Sequence, residues 1–237
     1  MQKNQNPLSN KFHVLSIDPH VHVDEGMRYE YIPSVLKYYK LDAVGLLTHN
    51  DLAFSKKVAK KLQIADPSKI YFPGVEIDTS DGHLVAYGIK QKIPQGLSSE
   101  ETIQLIKKQR GITIIPHPFM SHNSIGWKAY KLDADAMEFN NGFAKIFLNF
   151  PNIMCKVAFR YNGMAKLGGS DAHFAPAVGS CYSLIKIQGE ITTENIFQAI
   201  REKRTIPKQR PLNSQDIGNF IRIVFGPKKN RQVVKLF

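Results

Sequence analysis

Residues 18–26 read DPHVHVDEG, which sets His20 and His22 one residue apart with Asp24 and Glu25 close behind. In an extended strand, residues i and i+2 share a face, so both imidazoles point the same way and can hold one cation between them. Asp171 and His173 repeat this spacing after Gly168-Gly169-Ser170, where glycine lets the backbone turn sharply. Glu76 follows Pro73-Gly74-Val75 in a β-rich run, where a buried carboxylate without a partner is costly and a cation removes the cost. His49, His83 and His117 bring the set to six of the eight histidines. Each piece alone has an ordinary explanation, such as imidazoles hydrogen-bonded in a polar loop or a strand-end histidine before Pro118. Their joint occurrence points to metal. Mixed imidazole and carboxylate donors suit zinc, manganese or iron better than calcium or magnesium, which prefer oxygen shells. The donors outnumber what one tetrahedral ion needs, so two or three divalent ions are expected.

The surrounding pattern supplies elements to position them. Candidate strands cover 12–22, 43–49, 70–77, 83–89, 111–117, 136–140, 165–173 and 181–187, alternating with helical stretches at 32–40, 55–63, 98–110 and 192–204. Ser98 with Glu101 three residues on has capping-box spacing, whereas Thr192 has Asn195 at that place. Alternating β and α segments predict an α/β fold with a largely parallel sheet. His20, His22, His49, Glu76, His117, Asp171 and His173 all fall at or near the carboxyl end of a strand, the end where a βα barrel carries its active site. His83 instead opens its strand.

Bulk properties set the limits. A chain of 237 residues, 43% hydrophobic, can bury one substantial core. No apolar run approaches about 18 residues, and the start MQKNQNPLSN is polar, so neither membrane anchor nor signal peptide is expected and a cytoplasmic location is. Cys155 and Cys181 lack finger or CxxC spacing and read as reduced thiols. The formal charge of +12 favours acidic partners. Residues 207–237 are rich in Lys and Arg, and PKQRPLNSQ breaks the periodic pattern near Pro207. The chain is therefore expected to divide into a barrel, 1–206, and a basic C-terminal extension, 207–237, which is either a solvated tail or a surface for nucleic acid.

The stretches DPHVH (18–22), LLTHND (46–51), PGVEI (73–77), GHLVAYGI (82–89), RGITIIPHPF (110–119), AMEFNNG (136–142) and GGSDAHFAPAVG (168–179) resemble the PHP family, the polymerase and histidinol phosphatase domains. ENIFQAIREKRT (194–205) resembles the helix that closes such domains. The resemblance, over about residues 12–206, implies a distorted seven-stranded βα barrel, TIM-barrel-like, with a trinuclear metal cluster and hydrolysis of phosphate esters. It implies that His20, His22, Glu76 and Asp171 hold a first ion. Glu76 would bridge to a second completed by His83 and His117. A third would take His49, His173 and an acid from Asp24 or Glu25. As a ligand, His83 would require a displaced strand boundary. Departures are Thr48, where the family has Asp, Pro19, where an apolar residue is usual, and a short loop after His22.

In such a site Glu76, Asp171 and His173 stand closest to the chemistry, and the paired ions lower the pKa of a water that attacks phosphorus. His13 and His122 match no motif and read as structural or supporting. Arg28, Lys128 and Arg160 are among the cations available to hold phosphate, and Glu138 with Asn140 or Asn141 could support the rim. The expected function is metal-dependent hydrolysis of a small phosphorylated metabolite or nucleotide. The alternatives are a nuclease whose basic extension tracks nucleic acid and a non-catalytic, metal-stabilised interaction module.

Overall fold

A computed structural model of the chain describes residues 11–24, 26–120, 123–160 and 162–211, and for Ile146 the backbone alone. Nine strands form one sheet: β1 (Phe12–His22), β2 (Ala43–Leu47), β3 (Ile70–Thr79), β4 (Gly82–Tyr87), β5 (Ile112–Ile115), β6 (Ala136–Asn141), β7 (Ala165–Gly169), β8 (Cys181–Gln188) and β9 (Thr205–Gln209). Their order is β7-β6-β5-β4-β3-β2-β1-β8-β9. The helices are α1 (Ile32–Tyr38), α2 (Leu52–Ala65), α3 (Ser99–Lys108), α4 (Phe150–Ala158) and α5 (Thr193–Arg201).

The sheet curls until its far strand returns to the first. His22 N donates to Ala172 O at 2.9 Å, and Gly168 and Ser183 exchange bonds of 2.9 and 3.0 Å. The result is an α/β fold with a nearly closed, barrel-like sheet. The expected seven strands are nine, and the largely parallel sheet is mixed. β4 pairs antiparallel with both β3 and β5, and β8 with both β1 and β9. Direction was not legible because a short apolar strand has the same composition whichever way it runs. The α4 helix and β9 add to the elements expected from sequence, and β9 crosses the anticipated boundary between residues 206 and 207.

Local signals explain the helix starts. Ser98 and Glu101 make the full capping box at α3, Asp51 accepts from Ala53 N and Phe54 N at α2, and Thr192 accepts from Asn195 N at α5. Inward residues of the strands, including Ile17, Leu47, Phe72, Ile114, Leu167 and Ile185, form one apolar core with Ile196, Phe197 and Ile200 of α5. The α5 helix thereby fills the end of the barrel away from His20 and His22. Tyr87 lies between this core and the polar rim, fully buried, and its hydroxyl donates to Pro19 O. Only glycine at position 45 admits it, since a Cβ there would lie 2.3 Å from the Tyr87 hydroxyl.

Two irregular registers shape the rim. Asp18 and Val21 of β1 face Val44 and Leu46 of β2, so one extra residue is inserted beside Pro19 and His20. Glu138 and Asn140 of β6 face the consecutive Leu167 and Gly168, which inserts another. Such bulges re-aim side chains next to functional sites. Pro19 fits there because it brings no N–H to the ladder.

Asp18 ties the rim together. It is fully buried and accepts from Ser170 N (3.0 Å), Gly179 N (2.7 Å) and His20 N (3.2 Å), joining β1 to the turn after β7. Burial pushes its carboxyl up to about 6 against these bonds, which favour the anion. Asp18→Ala would leave three backbone donors without that acceptor, at a cost of about 3 kcal/mol. Thermal unfolding should show a midpoint roughly 6 to 12 °C lower; an unchanged midpoint would refute this role.

Candidate metal centre

Six imidazoles and three carboxylates named from the sequence converge at one end of the barrel. His20 and His22 end β1, and their Nε2 atoms stand 3.1 Å apart. Glu76 of β3 lies among them with five histidines around it: His22 Nε2 and His49 Nε2 at 3.3 Å from Oε2, and His83 Nδ1 and His117 Nε2 at 3.2 Å and His20 Nε2 at 3.7 Å from Oε1. Asp171 Oδ1 is 3.4 Å from His20 Nε2 and 3.6 Å from His22 Nε2. His173 stacks on His22 with ring centroids 4.2 Å apart, and His49 stacks on His22 at 4.3 Å. Donor atoms gather into three groups: His20, His22 and Asp171; Glu76, His83 and His117; and His22, His49 and His173.

The reversed strand explains His83. Because β4 runs against β3, its first residues lie at the same rim as the last residues of the parallel strands, and Asp78 pairs with His83. The boundary read from sequence stands; the direction was the missing fact. His49 reaches the site through an isolated bridge to Glu76, with Glu76 N donating to Thr48 O and Asn50 N to Glu76 O. Thr48, which replaces the family's Asp, donates from its hydroxyl to Asp51 O and is buried.

Asp24 sits behind two of the rings. Its Oδ2 accepts from His49 N at 2.7 Å and lies 3.1 Å from His49 Nδ1, while Oδ1 is 3.5 Å from His22 Nδ1. It thus orients His49 with Nε2 toward Glu76. Glu25 and His122 lie outside the described residues. His13 pairs with Ile187 far along β1 from the rim. Lys128 is held by Asp81 at 2.7 Å and Glu100 at 2.9 Å, and Arg28 lies 4.7 Å over the Tyr31 ring. The two buried thiols are pushed up by desolvation, Cys181 to about 12.

Supporting residues are more numerous than the sequence suggested. Glu138 accepts at His20 Nδ1 (2.7 Å), from His117 N (3.0 Å) and from Asn141 Nδ2 (3.0 Å), so one buried carboxylate fixes two histidines. Asn141 also reaches Asp171 Oδ2 at 3.2 Å. Gly169 makes room for this: a Cβ there would lie 2.4 Å from Glu138 Oε1 and 2.8 Å from His20 Cβ. Asp78, not singled out beforehand, stands 3.1 Å from His83 Nε2 and accepts from Asn50 Nδ2 at 2.7 Å. Its position two residues after Glu76 on the same strand face was the available signal. Asp171 and His117 have φ of 55° and 28°, in the left-handed region that costs a residue with a Cβ free energy, a strain found at functional sites.

The electrostatics ask for added positive charge. Burial alone would lower the basicity of the histidines, but Glu138, Asp171 and Glu76 outweigh it at His20 and push it to about 10. Against the same opposing burial, Asp24 and Glu76 push His22 to about 9, and Glu76 pushes His117 to about 9. His49 is raised by Asp24. Burial would raise the carboxyls of Glu76, Asp171 and Asp24, yet the imidazoles around them hold all three well below the usual range. Protons would satisfy the acids only by placing imidazolium rings in stacked contact, where like charges repel. Divalent cations supply the same charge at the gaps between donors and leave the rings neutral. The Nδ1 atom of His83, buried 3.2 Å from Glu76 Oε1 without the alignment of a hydrogen bond, fits a donor that faces a cation.

Residues 155–205 match the family model PHP_C, described as PHP-associated. An uncharacterised protein of Methanocaldococcus jannaschii, MJ1587, is 33% identical over 113 residues, which cover 47% of this chain and 65% of that relative, so less than two thirds of its length is spanned. Among solved structures, PsfC from Pseudomonas syringae superposes with a TM-score of 0.66 at 16% identity, over 90% of this chain and 99% of PsfC. A Bifidobacterium adolescentis protein described as a metal-dependent phosphoesterase gives 0.51 at 12% identity, over 66% and 87% of the two chains. An amidohydrolase from Chromobacterium violaceum, solved with bound sulfate and no metal, gives 0.54 at 14% identity over 84% and 99%. At these identities the structural likeness speaks for the fold. The family-model match over residues 155–205 and the ordered motifs that meet at this rim support assignment to the PHP family.

Proposed function

We propose that the chain is a metal-dependent hydrolase that cleaves phosphate esters of a small phosphorylated metabolite or nucleotide. The observation that carries this reading is Glu76, whose two oxygens face different imidazoles, His22 and His49 on one side and His83 and His117 on the other. A carboxylate so placed is suited to bridge two ions. His20, His22 and Asp171 would complete the first and His83 and His117 the second. His49 and His173 would belong to a third, with Asp24 holding His49 from behind. His22 stands in two of these groups; assigned to the first ion, it leaves His49 and His173 for the third, which is then the weakest held. Zinc, manganese and iron each match the nitrogen and oxygen donors.

Bound cations in such a site supply Lewis acidity toward phosphoryl oxygens and lower the pKa of water. The protein's own part is positional. Glu76 spaces the two donor groups, and Asp171, held by Asn141, faces the open side beside His173. Glu138 keeps His20 with its Nδ1 occupied and its Nε2 directed inward, the outer support that typically accompanies a metal-bound histidine. The version of this reading that acts on nucleic acid draws on residues 207–237, of which 212–237 lie outside the described residues. No described helix is long and apolar enough to cross a membrane.

Elemental analysis after loading with zinc or manganese should find about two to three ions per chain. Loading should weaken at acidic pH, because protons compete for the same nitrogens and oxygens; a protein that takes up no metal would refute the proposal. His20→Ala and Asp171→Ala should each reduce hydrolysis of an aryl phosphate by roughly 100-fold or more with the fold retained by circular dichroism. Inactivity of the loaded wild type across a broad panel of phosphate esters would refute the choice of substrate. Glu138→Gln and Gly169→Ala, which disturb His20 without removing a donor, should each weaken metal affinity by about 10- to 100-fold in a competition titration. Unchanged affinity in both would remove Glu138 from the account.

A further inference from the structure

One surface breaks the pattern of inward-facing apolar residues. After β6, the 3-10 turn Phe143–Phe147 and α4 leave Phe143, Phe147, Leu148, Phe150, Ile153 and Val157 exposed, Leu148 at 90% and Val157 at 75%. The inner side of α4 buries Asn152 and Cys155 against β6. Its outer side carries Phe150, Ile153 and Val157 at spacings of three and four, a second apolar stripe. A helix that is apolar all round is normally a buried one, so this face calls for a cover.

The last described residues reach the turn and the link beside this face. Gln209 Nε2 donates to Asn149 Oδ1 at 3.1 Å, in the link between the turn and α4, and Lys145 Nζ of the turn donates to Arg210 O. The sequence that follows contains FIRIVF at 220–225, apolar at five of its six positions. From Pro211 to Phe220 is nine residues, a reach of up to about 30 Å, against about 14 Å for the length of α4. A segment tethered this closely acts at an effective concentration on the order of millimolar, which favours it over a second copy of the chain. The face and the segment both carry cations, Lys156 and Arg222, and neither contributes an acid, so hydrophobic burial must drive the contact.

We propose that residues Phe220–Phe225 of the same chain pack over the outer stripe of α4 and the adjoining 3-10 turn. The cover would also back one wall of the metal centre. Asn152 of α4 holds the backbone of Asn141 by bonds of 2.8 and 3.0 Å, and Asn141 in turn holds Asp171 and Glu138. This inference stands apart from the reaction assigned above.

The test places a benzophenone amino acid at Leu148 of the full chain, mixes it with isotopically heavy copies, irradiates and maps the cross-links by mass spectrometry. Cross-links from position 148 into residues 212–237 of the same light chain are expected, with a yield that raised salt does not reduce. Light-to-heavy links, links confined to other residues, no link, or a yield lost in salt would each overturn the proposal. In the same full-length background, Ile221→Asp with Ile223→Asp should abolish the cross-link and raise the fluorescence of an apolar-surface dye. A cross-link that survives both substitutions would overturn it as well.

Discussion

The rest of the rim answers to one constraint: Glu76, almost wholly removed from water, is surrounded by imidazoles rather than by backbone donors. A buried carboxylate without compensation would protonate or disrupt the fold. Compensation here comes from rings carried by four separate strands, so the charge of one side chain dictates where β1, β2 and β5 must finish and where β4 must begin. The crowding that results is unfavourable unless positive charge enters between the rings, and that need is the physical basis for reading the cluster as a metal centre.

Meeting the constraint takes departures from regular structure. The bulge at Pro19 and His20 and the bulge in β6 turn side chains that an even register would point elsewhere. Asp18 and Glu138 then lock the bent segments, the first through three backbone N–H groups and the second through His20, His117 and Asn141. Below them Tyr87 joins this polar layer to the apolar core, its ring packed in the core and its hydroxyl donating to Pro19 O. His117 and Asp171, whose side chains face the site, are two of the eight described non-glycine residues with positive φ. The same supports extend outward through Asn152 to α4, which links the centre to an apolar surface whose cover we assign to the segment after Pro211.

The donor residues themselves were legible in the chain because their chemistry is unusual: His20 and His22 at strand spacing, Asp171 and His173 after a glycine pair, and a lone carboxylate at Glu76 amid apolar neighbours. Residue type and parity decide such features locally. Glu138 was legible only as a vague neighbour of the rim, since a carboxylate between Met137 and Phe139 has no local mark of what it bonds. Asp18 was quoted in the opening motif yet its role was invisible, because its partners Ser170 and Gly179 lie more than 150 residues away.

Neighbours a few residues apart thus fix the donor types, the alternation of strands and helices, and the capping box at Ser98, and these could be read from the chain alone. Only the tertiary structure decided that β4 and β8 run against the other strands, that nine strands share the sheet, and that His83 therefore enters the rim from a strand's first residues. Strand direction, pairing and register are settled by contacts between distant segments, and a short apolar run carries no information about them until its partners are in place.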